Sequence, residues 1–278
     1  MNDPALNTPL LPLVAAVLGA CFGSFLNVVA WRLPRQESIV LPPSHCPHCG
    51  TRLRWWQNIP LLGWLLLRGH CGYCAAPISL RYPLVELLSA GLWVAISQSQ
   101  PVVMGPQAPA LALMLAGWLL VSWLIPLVLI DLDHLWLPEP LCRFGLLLGL
   151  LTTAGLGWSQ GGAVGARLLS HHLLAAGLGL VGFELVSRGA QRLLGKPALG
   201  LGDAKLAALL GAWLGLAGLG ATVLLAVFGG ALVGGLARIS GKLGPKEPFP
   251  FGPFLAAGGI VVWIGGPQFW LGLWGMVG

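Results

Sequence analysis

The chain has 278 residues, of which 56% are apolar and only 9% charged, and its formal net charge is +6. A soluble domain carries about 25% charged residues, so the composition excludes an ordinary soluble fold and points to a membrane protein. The 41 glycines and 13 tryptophans agree: glycine lets membrane helices approach closely, and tryptophan anchors helix ends at the interface.

Apolar runs of spanning character occur at 10–31, 84–97, 110–130, 141–158, 164–186, 204–215, 216–238 and 254–277. They predict an all-α polytopic membrane protein with about eight transmembrane helices. The sixth and seventh runs are contiguous and together too long for one crossing, so a hairpin is expected around 215–220. The first run carries no cleavable-signal pattern, because Arg32 and Pro34 follow it in place of a small-residue cleavage site. Trp31, Trp93, Trp158, Trp213 and Trp274 lie near run ends and are expected in interfacial belts.

Orientation follows from the basic residues. With the N-terminus outside, the loops at 32–83, 131–140, 187–203 and 239–253 share one side. Every Lys and Arg except Arg167 falls on or beside that side, Lys196 and Lys246 included. The positive-inside rule makes it cytoplasmic. The net charge is then a topology signal, and no nucleic-acid partner is needed to explain it.

The one sizeable soluble segment, 32–83, lies between the first two spans. It divides the chain into a first helix (1–31), this segment (32–83) and a membrane core (84–278). Cys46-Pro47-His48-Cys49 and Cys71-Gly72-Tyr73-Cys74 form two knuckles whose four thiolates can close tetrahedrally on one Zn²⁺. A cytoplasmic segment keeps its thiols reduced, and a piece this small has too little core to fold without a staple. A three-Cys-one-His set using His45, His48 or His70 is the alternative. Cys21 and Cys142 lie in apolar runs and read as small core residues.

Two acidic motifs sit where apolar runs meet water: Asp131-Leu-Asp133-His134 and Gly200-Leu-Gly202-Asp203-Ala204-Lys205. An acid near the end of a membrane helix is costly to keep ionised and commonly lines a cavity or substrate path. Two such acids on the same side suggest a shared site in which carboxyls divide acid and base work. The plainer reading is that each acid reaches the interface or pairs with Arg143 or Lys205. Lys205 either holds Asp203 ionised or marks the interface. Pro250-Phe251-Gly252-Pro253 reads as a helix start, or as a turn packed near the site.

These blocks, taken in order, resemble the type IV prepilin peptidase family of membrane aspartic proteases. The resemblance rests on Gly23-Ser24-Phe25-Leu26-Asn27 through Arg32-Leu33-Pro34, both cysteine pairs, Asn58-Ile59-Pro60, and Ser79-Leu80-Arg81-Tyr82-Pro83 running to Glu86. It continues through Asp131 to Leu137-Pro138, the Gly-x-Gly-Asp at 200–203, and Pro250-Phe251-Gly252-Pro253. It implies cleavage of the basic leader from type IV prepilin-like or type II secretion pseudopilin precursors, after a glycine, at the cytoplasmic face of a bacterial inner membrane. It further implies N-methylation of the new N-terminus from S-adenosylmethionine.

By the family's pattern Asp131 and Asp203 are the catalytic pair, with Asp133 close enough to stand in for Asp131. Two positions depart from the pattern: Glu139 replaces the usual Asp after Leu137-Pro138, and His70 replaces the usual Lys before the third cysteine. Gly69 and His70 lie in the segment associated with methyl transfer and are candidate contacts for the donor. No glycine fingerprint follows a strand, so a donor site would be assembled between the zinc segment and the membrane helices. A peptidase without methyltransferase activity is the alternative within the family, and a zinc-bearing membrane scaffold or a proton-coupled transporter using the two acids are the readings from other classes.

Overall fold

The structure, a computed structural model, describes residues 8–99, 104, 108–195, 200–244, 247 and 249–273. Lys196, Lys246, Trp274 and the end of the eighth apolar run lie outside the described residues. Among those described the fold is all helical, with only two isolated bridges, His45 to Arg52 and His70 to Pro77, and no named strand. Among the described residues five helices are long and apolar enough to cross a membrane, fewer than the eight spans expected. The chain divides into two compact units, residues 1–98 and 99–278.

In the first unit α1 (Leu10–Arg32) packs along α3 (Arg81–Gln98), with the cysteine segment and the short α2 (Leu62–Leu66) between them in sequence. Gly19 and Gly23 make the pairing close. A Cβ at Gly19 would stand 2.9 Å from the Ala90 Cα, and one at Gly23 would stand 2.8 Å from the Glu86 Cα. This is the small-xxx-small solution for helices that lipid does not press together. Trp93 is buried in this seam, with its ring 4.8 Å from Phe22, so it is a core residue and leaves the interfacial belt expected of it. Cys21 departs in the opposite sense. It is exposed, because α1 turns only one face to α3.

The second unit holds α4 (Ala110–His134), α5 (Glu139–Trp158), α6 (Gly162–Leu194), α7 (Leu201–Ile239), α8 (Gly252–Gly265) and α9 (Pro267–Leu273). The eighth apolar run is therefore interrupted: Gly266, at φ +77°, ends α8, and Pro267 starts α9. Helix α7 is broken at Gly215, whose φ of 68° and ψ of −174° are open to glycine alone. The two arms meet α8 in opposite order. Leu210 of the first arm faces Gly259, whereas Thr222 and Gly230 of the second face Gly258 and Phe251. The chain thus reverses at Gly215, where a hairpin was expected.

A break inside an apolar fold frees a backbone carbonyl that must find a partner. The Ala212 carbonyl accepts from Thr153 Oγ1 of α5 at 3.2 Å and lies 3.0 Å from His172 Nδ1 of α6. Both side chains are buried, and together they tie α5 and α6 to the break in α7. Trp213, one residue on, is fully buried, donates to the Gly145 carbonyl at 2.9 Å and fills the space left by Gly149. It too is core and not belt. Trp31 and Trp158 are about half exposed, as a belt requires.

Gly215→Ala should be severely destabilising, since its Cβ would meet both a forbidden φ and the His172 ring at 3.0 Å. Thr153→Val should cost about 1–3 kcal/mol by removing one of the partners of the Ala212 carbonyl. Thermal unfolding of the purified variants in detergent checks both, and an unchanged midpoint for Gly215→Ala would contradict the reversal.

Candidate active site and metal centre

Among the described residues each unit brings reactive side chains together. In the second, Asp131 occupies the last turn of α4 and Asp203 the first turn of α7, while Gly252 opens α8. These three helix ends converge around Leu137. A Cβ at Gly202 would stand 3.1 Å from the Leu137 side chain, and one at Gly252 would stand 2.6 Å from Asp131 Oδ2 and 3.6 Å from Leu137 Cδ1. A side chain at 252 would displace the carboxylate, because Asp131 Oδ2 occupies the space its Cβ would take.

Asp131 is 5% exposed, and its Oδ2 makes no hydrogen bond of good geometry, although the Gly252 amide lies against the carboxyl. A buried carboxylate oxygen left in this state is costly and is a common mark of a functional site. Asp203 is half-buried, and its Oδ2 accepts the Gly200 N–H at 2.9 Å, which caps α7. The two carboxylates lie within electrostatic reach of one another, and both act on the buried Cys142 thiol of α5. The structure therefore brings together the two acids singled out in the sequence.

Asp133 is exposed, two residues beyond Asp131 and on another side of the helix. Lys205 forms an ion pair with Glu139 across the starts of α7 and α5, so it neutralises that acid and is not the partner of Asp203. The turn from Pro250 to Pro253 both starts α8 and packs against Asp131. Leu137 belongs to the block singled out in the sequence, although its place between the helix ends was not legible there, and Cys142 is buried, as its apolar run suggested.

In the first unit the Sγ atoms of Cys46, Cys49, Cys71 and Cys74 all lie within 4.8 Å of one another, and those of Cys46 and Cys74 are 3.8 Å apart. Tetrahedral thiolates at the usual zinc distance stand about 3.8 Å apart, so the cluster fits one such ion. The knuckles repeat one local design. Cys46 accepts the Gly50 N–H and donates to Thr51, and Cys71 accepts the Ala75 N–H and donates to Ala76. Gly50 and Ala75 are both left-handed, at φ 69° and 57°.

Hydrogen bonds from the Thr51 side chain and backbone hold the Cys49 thiol down to about 6, and the Cys74 and Tyr73 backbone lowers Cys71. Cys74 is pushed up to about 11. The Ala76 backbone lowers it, but burial and the neighbouring thiols outweigh that effect. His45 and His70 are exposed, each with Nδ1 beside a backbone carbonyl two residues back, and the cluster consists of the four cysteines. Gly69 is buried at φ 73° against Trp64, where it shapes the turn into the second knuckle.

Sequence reasoning also passed over Glu86 as a functional group. It is 7% exposed on α3, accepts the Leu61 N–H at 2.7 Å, and is hydrogen-bonded by Ser24 of α1. The available signal was a glutamate set within an apolar run.

Fold and site together define a multi-pass helical membrane protein with a carboxylate pair at the meeting of three helix ends. Residues 17–99 match the Bacterial Peptidase A24 N-terminal domain, and residues 118–235 match the Type IV leader peptidase family. A protein of Burkholderia pseudomallei (strain 1026b) named prepilin leader peptidase/N-methyltransferase is 37% identical over 301 residues, covering 98% of this chain and 91% of that one. A protein of Stutzerimonas stutzeri with the same name is 38% identical, covering 92% and 91%. A protein of Escherichia coli O78:H11 named type 4 prepilin-like proteins leader peptide-processing enzyme is 38% identical, covering 90% and 92%. No solved structure matches with comparable significance. The chain belongs to the type IV leader peptidase family.

Ala75→Gly should stabilise the second knuckle by about 1 kcal/mol, because it relieves a non-glycine residue in the left-handed region. The check is the rate at which a protease nicks residues 32–83 during titration with a chelator. A faster rate in the variant would count against the assigned turn.

Proposed function

We propose that this chain is a membrane aspartic peptidase that removes the leader from type IV prepilin or pseudopilin precursors and then N-methylates the new N-terminus with S-adenosylmethionine. The observation that carries the reading is the convergence of Asp131 and Asp203 on one site, with a buried, poorly partnered carboxylate oxygen in it. The activities named for relatives aligned along most of both chains point the same way. Asp131 and Asp203 are the catalytic pair. One carboxyl keeps a proton and donates it to the scissile carbonyl oxygen, while the other, ionised, takes a proton from the attacking water.

The topology is the eight-span arrangement, with the two arms of α7 counted separately and α1, α3, α4, α5, α6 and α8 supplying the rest. The first arm, 201–214, is about 20 Å long by its helical rise, short of a full hydrocarbon core. The basic loops set the carboxylate pair at the cytoplasmic face of the bacterial inner membrane, where anionic lipid also holds the basic leader of the precursor. Cleavage follows a glycine, as in the family the sequence resembles. The four cysteines hold one structural Zn²⁺, which supplies the segment with the folding energy its small core lacks.

Asp131→Asn and Asp203→Asn should each abolish cleavage of a purified precursor, read by mass spectrometry, while the protein stays inserted and folded. Asp133→Asn should be milder. Full cleavage by the Asp203→Asn protein would sink the aspartic mechanism.

Gly252→Ala should reduce cleavage by about tenfold or more by displacing the Asp131 carboxylate. Gly177→Ala, whose Cβ meets nothing within 4 Å, should be silent in the same assay. Equal rates in the two variants would remove Gly252 from the site.

Protein purified without chelator should carry one zinc per chain by elemental analysis, and Cys71→Ser should lose it. With the same precursor, Cys71→Ser should reduce methylation more than cleavage. Equal loss of both would make the cysteine segment part of the protease site.

A further inference from the structure

The first unit contains a cleft of about 570 Å³ between the last three turns of α1 and residues 39–60. Its volume is that of a site for a nucleoside-sized ligand. One wall is the α1 face carrying Ser24, Phe25 and Val28, and the other carries Arg52, Arg54, Trp55 and Asn58. Arg32 forms the back of the cleft. It is buried, and its guanidinium helps to shape the loop, donating to the Ser38 carbonyl at 2.9 Å and to the Pro42 carbonyl at 2.8 Å. The cleft is therefore a built feature whose frame is tied down by a buried cation.

The chemistry offered inside it is specific. Trp55 is 80% exposed, and burying an indole face so freely presented suits a flat heteroaromatic ring. Arg52 and Arg54 are exposed on the same wall, and a guanidinium suits a carboxylate. The Asn58 amide can read polar ring edges or sugar hydroxyls. Behind Ser24 lies the buried carboxylate of Glu86, which Ser24 hydrogen-bonds and which also takes the Leu61 N–H. Residues 8–98 contain two carboxyl side chains, Glu37 and Glu86, and Glu86 is the buried one, reached from the cleft through Ser24. A flat base, a carboxylate and a compact positive charge in one small molecule are the features of a sulfonium methyl donor.

We propose that this cleft is the binding site of S-adenosylmethionine, with Trp55 under the adenine, Arg54 on the carboxylate and Glu86 offsetting the sulfonium through the Ser24 wall. The inference rests on the methyltransferase half of the function given above. The freed, neutral N-terminal amine attacks the methyl carbon. The new N–C bond forms as the C–S bond breaks, and its electron pair stays on sulfur, leaving a neutral thioether and a methylated ammonium. Neither Gly69 nor His70 lines the cleft.

The test is calorimetric binding of S-adenosylmethionine and of S-adenosylhomocysteine to the full-length protein in micelles. Trp55→Ala and Arg54→Ala, both at exposed positions, should each raise the Kd for both ligands by about tenfold. Glu86→Gln keeps an acceptor for Leu61 and should weaken S-adenosylmethionine more than S-adenosylhomocysteine, because only the former carries a charged sulfur. Equal weakening of the two ligands by Glu86→Gln would make Glu86 purely structural and overturn its assigned part. Wild-type affinity in Trp55→Ala and Arg54→Ala would overturn the cleft assignment while leaving the methyltransferase reading intact. Loss of retained phosphatidylglycerol in those two variants, with donor affinity unchanged, would make the cleft a lipid site. A wild-type protein that binds neither donor nor product would overturn both readings together.

Discussion

Helices in lipid receive no hydrophobic push toward one another, so their packing depends on backbones coming within van der Waals contact. Glycine is the means throughout this chain. Gly211 rests on the Ala175 backbone, Gly179 on that of Ala207, and Gly149 on the Trp213 ring. The same device shapes the acid site, where Gly252 leaves room for the Asp131 carboxylate itself. A Cβ at Gly211 or Gly179 would run into the backbone of the facing helix, so the close approach of the helices at these positions depends on glycine.

The break at Gly215 turns that packing into a site. It sends the second arm of α7 back along α8, so the first arm can start beside the end of α4 and the start of α8. Three helix ends then meet, two of them N-termini, whose free N–H groups favour carboxylates nearby. The cost of the break is a carbonyl without its helical partner, and Thr153 and His172 offset it from two other helices. The buried histidine is thereby accounted for as part of the scaffold.

The first unit solves a different problem. Residues 32–83 are too few and too polar to build a core, and they are held at points: the four-thiol cluster, the Arg32 bonds to two loop carbonyls, and the Glu86 bond to the Leu61 amide. A segment pinned at points leaves space between them, and the cleft beside α1 is that space.

Much of this was legible in the chain, because the strongest signals were local. Apolar runs marked the helices, the paired Cys-x2-Cys knuckles marked the four-thiol cluster, and acids at run ends marked Asp131 and Asp203. Where partners are distant in sequence, local reading failed. Trp93 and Trp213 look like interfacial tryptophans until Phe22 and Gly149 are placed against them. Lys205 looks like a partner for Asp203 until Glu139 is brought to it from another helix. The eighth run reads as one span, although Gly266 breaks it. The sequence by itself determined the helical class, the side of the membrane its charges favour and the residue types at each site, because these follow from composition and short-range pattern. Only the tertiary structure decided which carboxylate lies buried without a good partner, which glycine makes room for it, and that a cleft stands between α1 and its insert, because each depends on backbones that meet across long stretches of chain.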